Sequence, residues 1–169
     1  MIDWREGKPY RPNVGICLIN PLGLVWFGKS FTAGPEIVSS GREWQMPQGG
    51  IEETEEIVAA AKRELWEETG ATSVDPLAVT DEWWTYEFPE KYKETGHKLD
   101  RFRGQKQRWV AFRFSGNEDE FNITAQHTNE PQEFVDWRWI SATEAIEYTV
   151  EFKVAQYRRV FEEFSEFLT

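Results

Sequence analysis

The sequence has little of several residues on which common active sites depend. Among its 169 residues there is one cysteine, Cys17, and there are two histidines, His97 and His127. A single cysteine cannot form an internal disulfide or supply a cysteine-rich zinc site. The sequence also contains no Walker-type lysine loop and no G-x-G-x-x-G run, which excludes the two commonest phosphate-binding loops. We assign no role to either histidine.

Positive charge is scarce as well. Thirty acidic residues outnumber nineteen basic ones, so the net charge is -11 and the isoelectric point lies near 4.7. Such a surface repels polyphosphate as a whole, so nonspecific coating of nucleic acid and binding of DNA are not expected. No stretch approaches the roughly 18 apolar residues of a membrane span, and residues 1–6 do not resemble a signal peptide. The expectation is a cytoplasmic protein, a monomer, without a membrane partner.

Aromatic residues are abundant by contrast. Nine tryptophans, twelve phenylalanines and five tyrosines make up 15% of the chain, although the mean hydropathy is -0.63. This aromatic content favours a folded protein over a disordered one. The length suits a single domain over residues 1–169.

Hydrophobic periodicity predicts alternating strands and helices. Apolar alternation on both sides of a Pro-Leu-Gly turn at residues 21–23 predicts a β-hairpin, followed by a loop over residues 30–42. Further strands are predicted over residues 77–88, 107–114 and 134–140, and helices over residues 55–69, directly after Ser141, and over residues 151–167. Thr54 is predicted to cap the first helix and Gly70 to end it. This order of elements predicts an α/β fold with a mixed β-sheet between helices.

The helix predicted over residues 55–69 is rich in glutamate. At helical spacing, Glu64, Glu67 and Glu68 share one face, beside the apolar stripe that contacts the core. Three like charges repel one another unless a cation neutralises them. Hard carboxylate oxygens one helical turn apart suit Mg²⁺ or Mn²⁺. A solvated acidic helix is the alternative that this pattern alone leaves open.

The segment around this helix resembles the Nudix box, G-x5-E-x7-R-E-U-x-E-E-x-G-U, in which U is a bulky aliphatic residue. The matching residues are Gly49, Glu55, Arg63, Glu64, Leu65, Glu67, Glu68 and Gly70. Ala71 stands where a larger aliphatic residue is usual. The resemblance implies a Nudix-type α/β/α sandwich. It also implies hydrolysis of a nucleoside diphosphate linked to another group, with divalent metal ions.

The resemblance implies roles for the matching residues. The implied metal ligands are Glu64, Glu67, Glu68 and the backbone carbonyl of Gly49. Glu64 and Glu68 are the implied catalytic carboxylates, and Glu55 and Arg63 resemble the structural ion pair of the family. Metal ions in such a site neutralise the pyrophosphate, lower the pKa of a bound water and align it for attack on phosphorus.

The flanking segments are similar to the bacterial RNA 5'-pyrophosphohydrolases, a group that overlaps the dinucleoside polyphosphate hydrolases. The similar segments are residues 11–15, 44–50, 104–109 and 137–139, and the resemblance runs from about residue 10 to residue 164. It implies a further metal ligand at Glu133, for which Glu120 and Glu130 are nearby competitors. Gln105, Phe152 and Lys153 match nucleotide-contacting positions of the group, and Lys29 stands where an arginine is expected.

A positive strip complements the acidic helix. Between Lys98 and Arg113 there are six basic residues and one acidic residue, in a chain of net charge -11. A positive strip opposite an acidic metal site suits a polyphosphate, although a solvated basic strand is the simpler alternative for part of it. Residues of this strip and of the flanking segments complete the predicted substrate-binding set, which is Arg11, Lys29, Tyr86, Gln105, Lys106, Arg108, Phe152 and Lys153.

Two substrates remain open at this point. One is the 5' triphosphate end of RNA, from which pyrophosphate or successive phosphates would be removed, and the other is diadenosine tetra- or pentaphosphate. Both present a nucleoside and a polyphosphate, so the sequence separates them weakly. A non-catalytic nucleotide- or RNA-binding module is a more remote alternative, because such relatives typically lose box glutamates and none is missing here.

Overall fold

A computed structural model describes residues 3, 5–31, 41–90 and 101–169. Most of the loop predicted over residues 30–42 lies outside the described residues, as do His97 and the first part of the positive strip. The strands are β1 (Tyr10–Ile19), β2 (Val25–Ser30), β3 (Trp44–Gln45), β4 (Gln48–Gly50), β5 (Val74–Val79), β6 (Trp84–Glu87), β7 (Gly104–Phe114) and β8 (Phe134–Ile140). The α-helices are α1 (Ile57–Thr69), α2 (Ala142–Ala145) and α3 (Val154–Glu163), and single 3₁₀ turns cover Glu118–Glu120, Ile146–Tyr148, Glu151–Lys153 and Ser165–Phe167.

The strands form one mixed sheet. The central strands β1 and β7 run parallel, with Tyr10 paired to Gly104 at one end and Ile19 to Arg113 at the other. The sheet order is β3-β2-β1-β7-β5, with β4 beside β1, β6 beside β7 and β8 beside β2, and these other pairs are antiparallel. The predicted hairpin at residues 21–23 is confirmed, because it joins β1 to β2.

Alternate residues of the central strands face two different cores. On the first face, which we call the α1 face, the strand residues that pack beneath α1 are Val14, Ile16, Leu18, Val110 and Phe112. On the second, the α3 face, the strand residues that pack against α2 and α3 are Cys17, Ile19, Trp109 and Ala111. This arrangement follows from the two-residue period of a strand that is buried on both sides. It confirms the predicted mixed sheet between helices.

Two predicted elements differ from the structure. The strand predicted over residues 77–88 is two strands, β5 and β6, because the Thr80 hydroxyl accepts the Trp109 N–H at 2.9 Å and the chain then turns away from the sheet. The helix predicted over residues 151–167 is α-helical in its middle, and both ends are tighter 3₁₀ turns, as is common at helix termini. None of the described helices is long and apolar enough to span a membrane.

Candidate active site

Helix α1 begins later than its sequence predicts. Thr54 has a left-handed backbone with φ of 72°, so the predicted cap at Thr54 is wrong, and Glu56 occupies the capping position without a capping hydrogen bond from its side chain. Residues 52–55 form a turn instead, in which the Glu55 carboxylate accepts the Glu52 N–H at 3.1 Å. This turn places Glu55 before the helix. The predicted end of the helix is confirmed, because Gly70 has φ of 80° and donates its N–H to the Trp66 carbonyl.

Arg63 ties this turn to the helix. Its Nε and Nη2 donate to the two carboxylate oxygens of Glu55, each at 2.8 Å, and Nη2 also donates to the Gly50 carbonyl at 2.9 Å. Its Nη1 reaches Glu64 at 2.9 Å and Glu67 at 3.4 Å. The bonds to Glu55 raise the pKa of Arg63, and the bonds from Arg63 lower the pKa of Glu55. The bidentate pair thus fixes the end of β4 against α1.

Glu64 lies directly over β4. A Cβ atom at Gly49 would overlap the Glu64 carboxylate, so the close approach of helix and strand requires glycine at this position. Burial raises the pKa of Glu64 to about 7, although Arg63 favours its charged form. The carboxylate and the backbone of Gly49 are therefore in contact.

Glu68 is the most strongly perturbed carboxylate of the site. Burial raises its pKa well above the ordinary value, and the charges of Glu133 and Glu64 raise it further. Its Oε2 atom is buried and has no hydrogen-bond partner among the described residues. A buried carboxylate oxygen without a partner is costly, and a positive ligand would remove that cost.

Glu133 and its two competitors, Glu120 and Glu130, differ in their surroundings. The charge of Glu133, on the segment that leads into β8, acts on Glu68. Glu120 instead accepts the backbone N–H groups of Thr72 and Ser73, each at 2.9 Å, and the bonds from Ser73 and Thr72 lower its pKa to about 2. Glu130 and Glu133 are both exposed. Glu120 therefore holds the loop after α1, and Glu133 remains the predicted further metal ligand.

The donor set fits a hard divalent cation. Within the part of the chain that the structure describes, no three acidic, cysteine or histidine side chains converge on one point. The carboxylates of Glu64 and Glu67 are both paired with Arg63 instead. The buried, unpartnered oxygen of Glu68 and the carboxylates on either side of it are nevertheless the ligands that such a cation prefers. A cation there would compete with Arg63 for Glu64 and Glu67.

Four residues of the predicted substrate-binding set form a connected row on the α3 face. The Nη1 of Arg11 donates to Gln105 at 3.3 Å, and the Gln105 amide donates to the Tyr86 hydroxyl at 2.6 Å. The Tyr86 ring lies 5.8 Å from that of Phe152. Burial lowers the pKa of Arg11, whereas the nearby charge of Glu64 raises it. The structure thus brings Arg11, Gln105, Tyr86 and Phe152 together next to the carboxylate helix.

Lys153 is placed differently from a surface lysine. It is 1% exposed, and its ammonium donates to the Gln45 amide oxygen at 2.7 Å. The amide nitrogen of Gln45 donates in turn to the Ser30 hydroxyl at 2.7 Å, so the Gln45 oxygen is fixed toward Lys153. The charge of Lys153 also acts on Glu68 and opposes the rise of its pKa. Lys153 is therefore a buried cation, held by Gln45, whose charge favours the ionised form of Glu68.

Sequence reasoning missed a buried amide network beneath this row. The amide of Gln107 donates to Asn13 at 2.8 Å and to Gln48 at 3.0 Å, and accepts from Gln156 at 3.3 Å. Asn13 and Gln107 are almost fully buried. The alternation of Gln105 and Gln107 along β7 was the available signal, because polar residues at strand spacing on a buried face need partners.

Lys29, on β2, forms an ion pair with Glu43, the residue before β3. Its ammonium lies 3.9 Å from the Glu43 carboxylate, which is almost buried. Ser30, the next residue, accepts from the same Gln45 amide whose oxygen accepts from Lys153. The contacts of the described residues do not join Lys29 directly to the row on the α3 face.

Lys106 and Arg108 lie on the other face of β7 from Gln105. Side chains alternate along the strand, and Val110 and Phe112 continue the same face into the core beneath α1. Both cations contact the ring of Trp83, and Arg108 also donates to the Thr80 carbonyl at 2.6 Å. The structure therefore does not bring Lys106 and Arg108 together with the row of Arg11 and Gln105.

The fold and the carboxylate helix define a hydrolase of the Nudix class. The chain belongs to the Nudix family, because the model of the NUDIX domain matches residues 9–164. Enzymes of this family generally use divalent metal cations.

The most informative relatives are two bacterial proteins. The chain is 44% identical to a protein named RNA pyrophosphohydrolase from Afipia carboxidovorans, over 96% of each chain. It is 42% identical to a protein of the same name from Rhodopseudomonas palustris, over 95% of each chain. Among solved structures, an Ap4A hydrolase from C. elegans in a binary complex superposes with a TM-score of 0.58 at 16% identity, covering 91% of this chain and 98% of that one. This last similarity concerns the fold alone.

Proposed function

We propose that this protein is a metal-dependent pyrophosphohydrolase that removes pyrophosphate, or successive phosphates, from the 5' triphosphate end of RNA. Mg²⁺ is the proposed metal, and Mn²⁺ would serve the same oxygen ligands. Such an activity would contribute to messenger RNA decay in the cytoplasm.

The observation that carries this proposal is the meeting of two unlike surfaces at β4. On one side lie Glu64 and Glu68, carboxylates whose pKa values are raised by burial. On the other lies the row from Arg11 to Phe152, with a guanidinium, an amide and two aromatic rings. A polyphosphate joined to a nucleotide needs both surfaces at once. The name shared by the two bacterial relatives favours RNA as the substrate.

Each residue then has a distinct part in the proposed reaction. Glu64, Glu67, Glu68 and Glu133, with the Gly49 carbonyl, would hold the metal ions. These ions would neutralise the polyphosphate and lower the pKa of the attacking water. Glu55 and Arg63 keep the end of β4 and the helix in one arrangement.

The remaining residues would bind the substrate. Arg11 would bind phosphate oxygens, and Phe152 would stack on a base, an interaction that tolerates many bases. Gln105 is held by Tyr86 with its amide oxygen toward Arg11, which orients both groups. Lys29 retains the charge expected at its position but lacks the planar fork of an arginine.

Diadenosine tetra- or pentaphosphate is the second candidate substrate. The row on the α3 face would hold one adenosine of such a molecule as readily as the first nucleotide of RNA. The Nudix fold accommodates it as well, since the solved structure that superposes on this chain is named an Ap4A hydrolase.

Relative turnover tests the proposal. Triphosphorylated RNA, diadenosine tetraphosphate and diadenosine pentaphosphate are incubated with the protein and Mg²⁺, and phosphate and nucleotide release are measured. We expect the largest kcat/KM with triphosphorylated RNA, no turnover with a chelator, and a fall of about a hundredfold or more in Glu68→Gln. Faster hydrolysis of the diadenosine compounds would favour the second candidate, and no hydrolysis of any of the three would contradict the enzyme assignment.

A further inference from the structure

A group of three side chains on the α1 face lies apart from the residues that the proposed reaction uses. Trp83 stands just before β6 and is 41% exposed. The Lys106 ammonium lies 5.1 Å from the centre of its ring, and the guanidinium carbon of Arg108 lies 5.9 Å from it. We call Trp83, Lys106 and Arg108 the Trp83 patch. It combines a flat exposed ring with two positive charges.

The charges of this patch are not neutralised by carboxylates of the described residues. Across residues 3, 5–31, 41–90 and 101–169, neither Lys106 nor Arg108 comes within ion-pair distance of an acidic side chain. Asp81 and Glu82 are close in sequence to Trp83, but both are exposed and pair with neither cation. Two such cations side by side in a chain of net charge -11 suit an anionic ligand.

The sheet register places the patch beside the carboxylate helix. Arg108 is paired with Val14 across β7 and β1, and Val14 is paired with Gly49 across β1 and β4. Directly paired residues of neighbouring strands point to the same face. Arg108 therefore lies on the face where Glu64 covers Gly49, two strand spacings or about 10 Å away. Lys106 is the next residue on that face of the same strand.

We propose that the Trp83 patch binds the RNA chain downstream of its 5' end. One base stacks on Trp83, and backbone phosphates accept hydrogen bonds from Lys106 and Arg108. An exposed ring flanked by cations is the combination by which proteins bind single-stranded nucleic acid without reading its sequence. An acidic peptide would use the charges but not the ring. This inference rests on the proposed function, since it names the path of the same substrate.

RNA substrates of two lengths distinguish binding at the Trp83 patch from binding at the proposed active site. A triphosphorylated dinucleotide would fill the row on the α3 face without reaching the patch, and an unstructured octanucleotide would reach both. We expect Trp83→Ala to raise KM about tenfold for the octanucleotide, because stacking of one base is worth about 1–3 kcal/mol. The dinucleotide KM and the kcat for both substrates stay at the wild-type values. Trp83→Phe, which keeps an aromatic ring, should have a KM for the octanucleotide close to the wild-type value.

The cations are tested by the salt dependence of octanucleotide binding. Lys106→Gln and Arg108→Gln each lower the slope of log affinity against log salt by about 0.7, the value for one phosphate contact on a single strand. Arg158→Gln is the matched control, because it removes one exposed positive charge from α3 and leaves the slope unchanged.

The outcomes distinguish this inference from the function on which it rests. Suppose that the wild type hydrolyses RNA normally and that Trp83→Ala changes KM equally, or not at all, for the two RNA lengths. This result overturns the inference and leaves the proposed function intact. An equal loss of slope in Arg158→Gln overturns it as well, because the effect would then be one of net charge. Failure of the wild type to hydrolyse RNA of either length overturns the proposed function and this inference together.

Discussion

At the residue scale, the buried carboxylate of Glu68 makes the stability of the protein depend on pH. Its pKa is raised by burial, so ionisation of this carboxylate destabilises the folded state. A carboxyl group whose pKa is raised by folding stabilises the folded state at pH values below its unfolded pKa, near 4.5. This stabilisation is lost as the pH rises through its folded pKa. Glu64, with a pKa of about 7, contributes with the same sign. The metal-free protein is therefore expected to lose stability as the pH rises from about 4.5 through about 7 on account of Glu64, and Glu68 adds to this loss with the same sign.

The first prediction concerns Glu68→Gln. We expect hydrolysis to fall by about a hundredfold or more, since even residues behind metal ligands are worth ten- to a hundredfold. We also expect the metal-free variant to be more stable than the wild type at pH 8, by about 1–3 kcal/mol, and nearly equal to it at pH 5. Urea denaturation at both pH values, in the presence of a chelator, measures the second effect.

Added Mg²⁺ provides the control for this prediction. It should stabilise the wild type more than Glu68→Gln at pH 8, because a ligand that binds the folded state stabilises it by mass action. Wild-type turnover in the variant, with its metal content verified, would show that Glu68 is not a metal ligand.

Phe152 and Lys153 are neighbours with different environments, and the second prediction separates them. Phe152→Ala should raise KM for RNA about tenfold while single-turnover chemistry at saturating RNA stays close to normal, because only a stacking contact is lost. Lys153→Ala should in addition lower stability, because it leaves a buried space and an unpaired Gln45 oxygen. Thermal denaturation alongside single-turnover kinetics tests both. A collapse of the single-turnover rate in Phe152→Ala to the level of Glu68→Gln would contradict the stacking role.

At the element scale, the connection from β4 to α1 depends on one side chain. Arg63 joins Glu55, the Gly50 carbonyl and Glu64 through a planar fork that lysine cannot reproduce. The same arginine pairs with Glu64 and Glu67. Its position therefore fixes the turn that supports the proposed metal ligands.

The third prediction concerns this fork. Arg63→Lys should reduce the free energy of unfolding by about 1 kcal/mol, a value that allows for the partial exposure of the pair. Activity should fall at low Mg²⁺ and recover in part at high Mg²⁺, because the ligands remain but the turn that supports them is looser. Activity measured against Mg²⁺ concentration tests this. The matched variant Lys62→Gln, at an exposed position one residue earlier, should change neither the free energy of unfolding nor the dependence of activity on Mg²⁺ concentration.

At the scale of the whole molecule, net negative charge limits how RNA can be bound. With thirty acidic and nineteen basic residues, most of the surface repels a phosphate backbone. The proposed RNA contacts are accordingly confined to the metal site, the row on the α3 face and the Trp83 patch. A 5' triphosphate would supply the largest share of the affinity.

The fourth prediction follows from this charge distribution. Binding of RNA to a catalytically inactive variant that still binds metal should show a shallow salt dependence, at about 0.7 log units of affinity per log unit of salt for each phosphate contact. RNA with a 5' hydroxyl end should compete poorly at every length. Competition binding at several salt concentrations measures both effects. Affinity that rises steadily with length and ignores the 5' phosphates would indicate a general RNA-binding protein.

The sequence by itself determined what depends on local spacing. Glu64, Glu67 and Glu68 share a helix face because residues three and four apart always do, and Arg63 reaches the first turn of the same segment. The alternation of β1 and β7 likewise determined two buried faces and hence the layered sheet. The cap at Thr54 could not be predicted this way, because Glu55 is needed by Arg63 and the chain turns before the helix starts.

Only the tertiary structure decided which distant residues meet. Arg11 contacts Gln105 because β1 and β7 pair in one parallel register, and nothing local to either segment encodes that register. A shift of this strand pairing by one residue would place Lys106, instead of Gln105, on the α3 face. The burial of Lys153 is equally nonlocal, since the Gln45 amide oxygen that accepts its hydrogen bond lies on β3, more than a hundred residues earlier in the chain. Local rules place side chains on a face, and the pairing of the strands and the packing of the layers determine what each face contains.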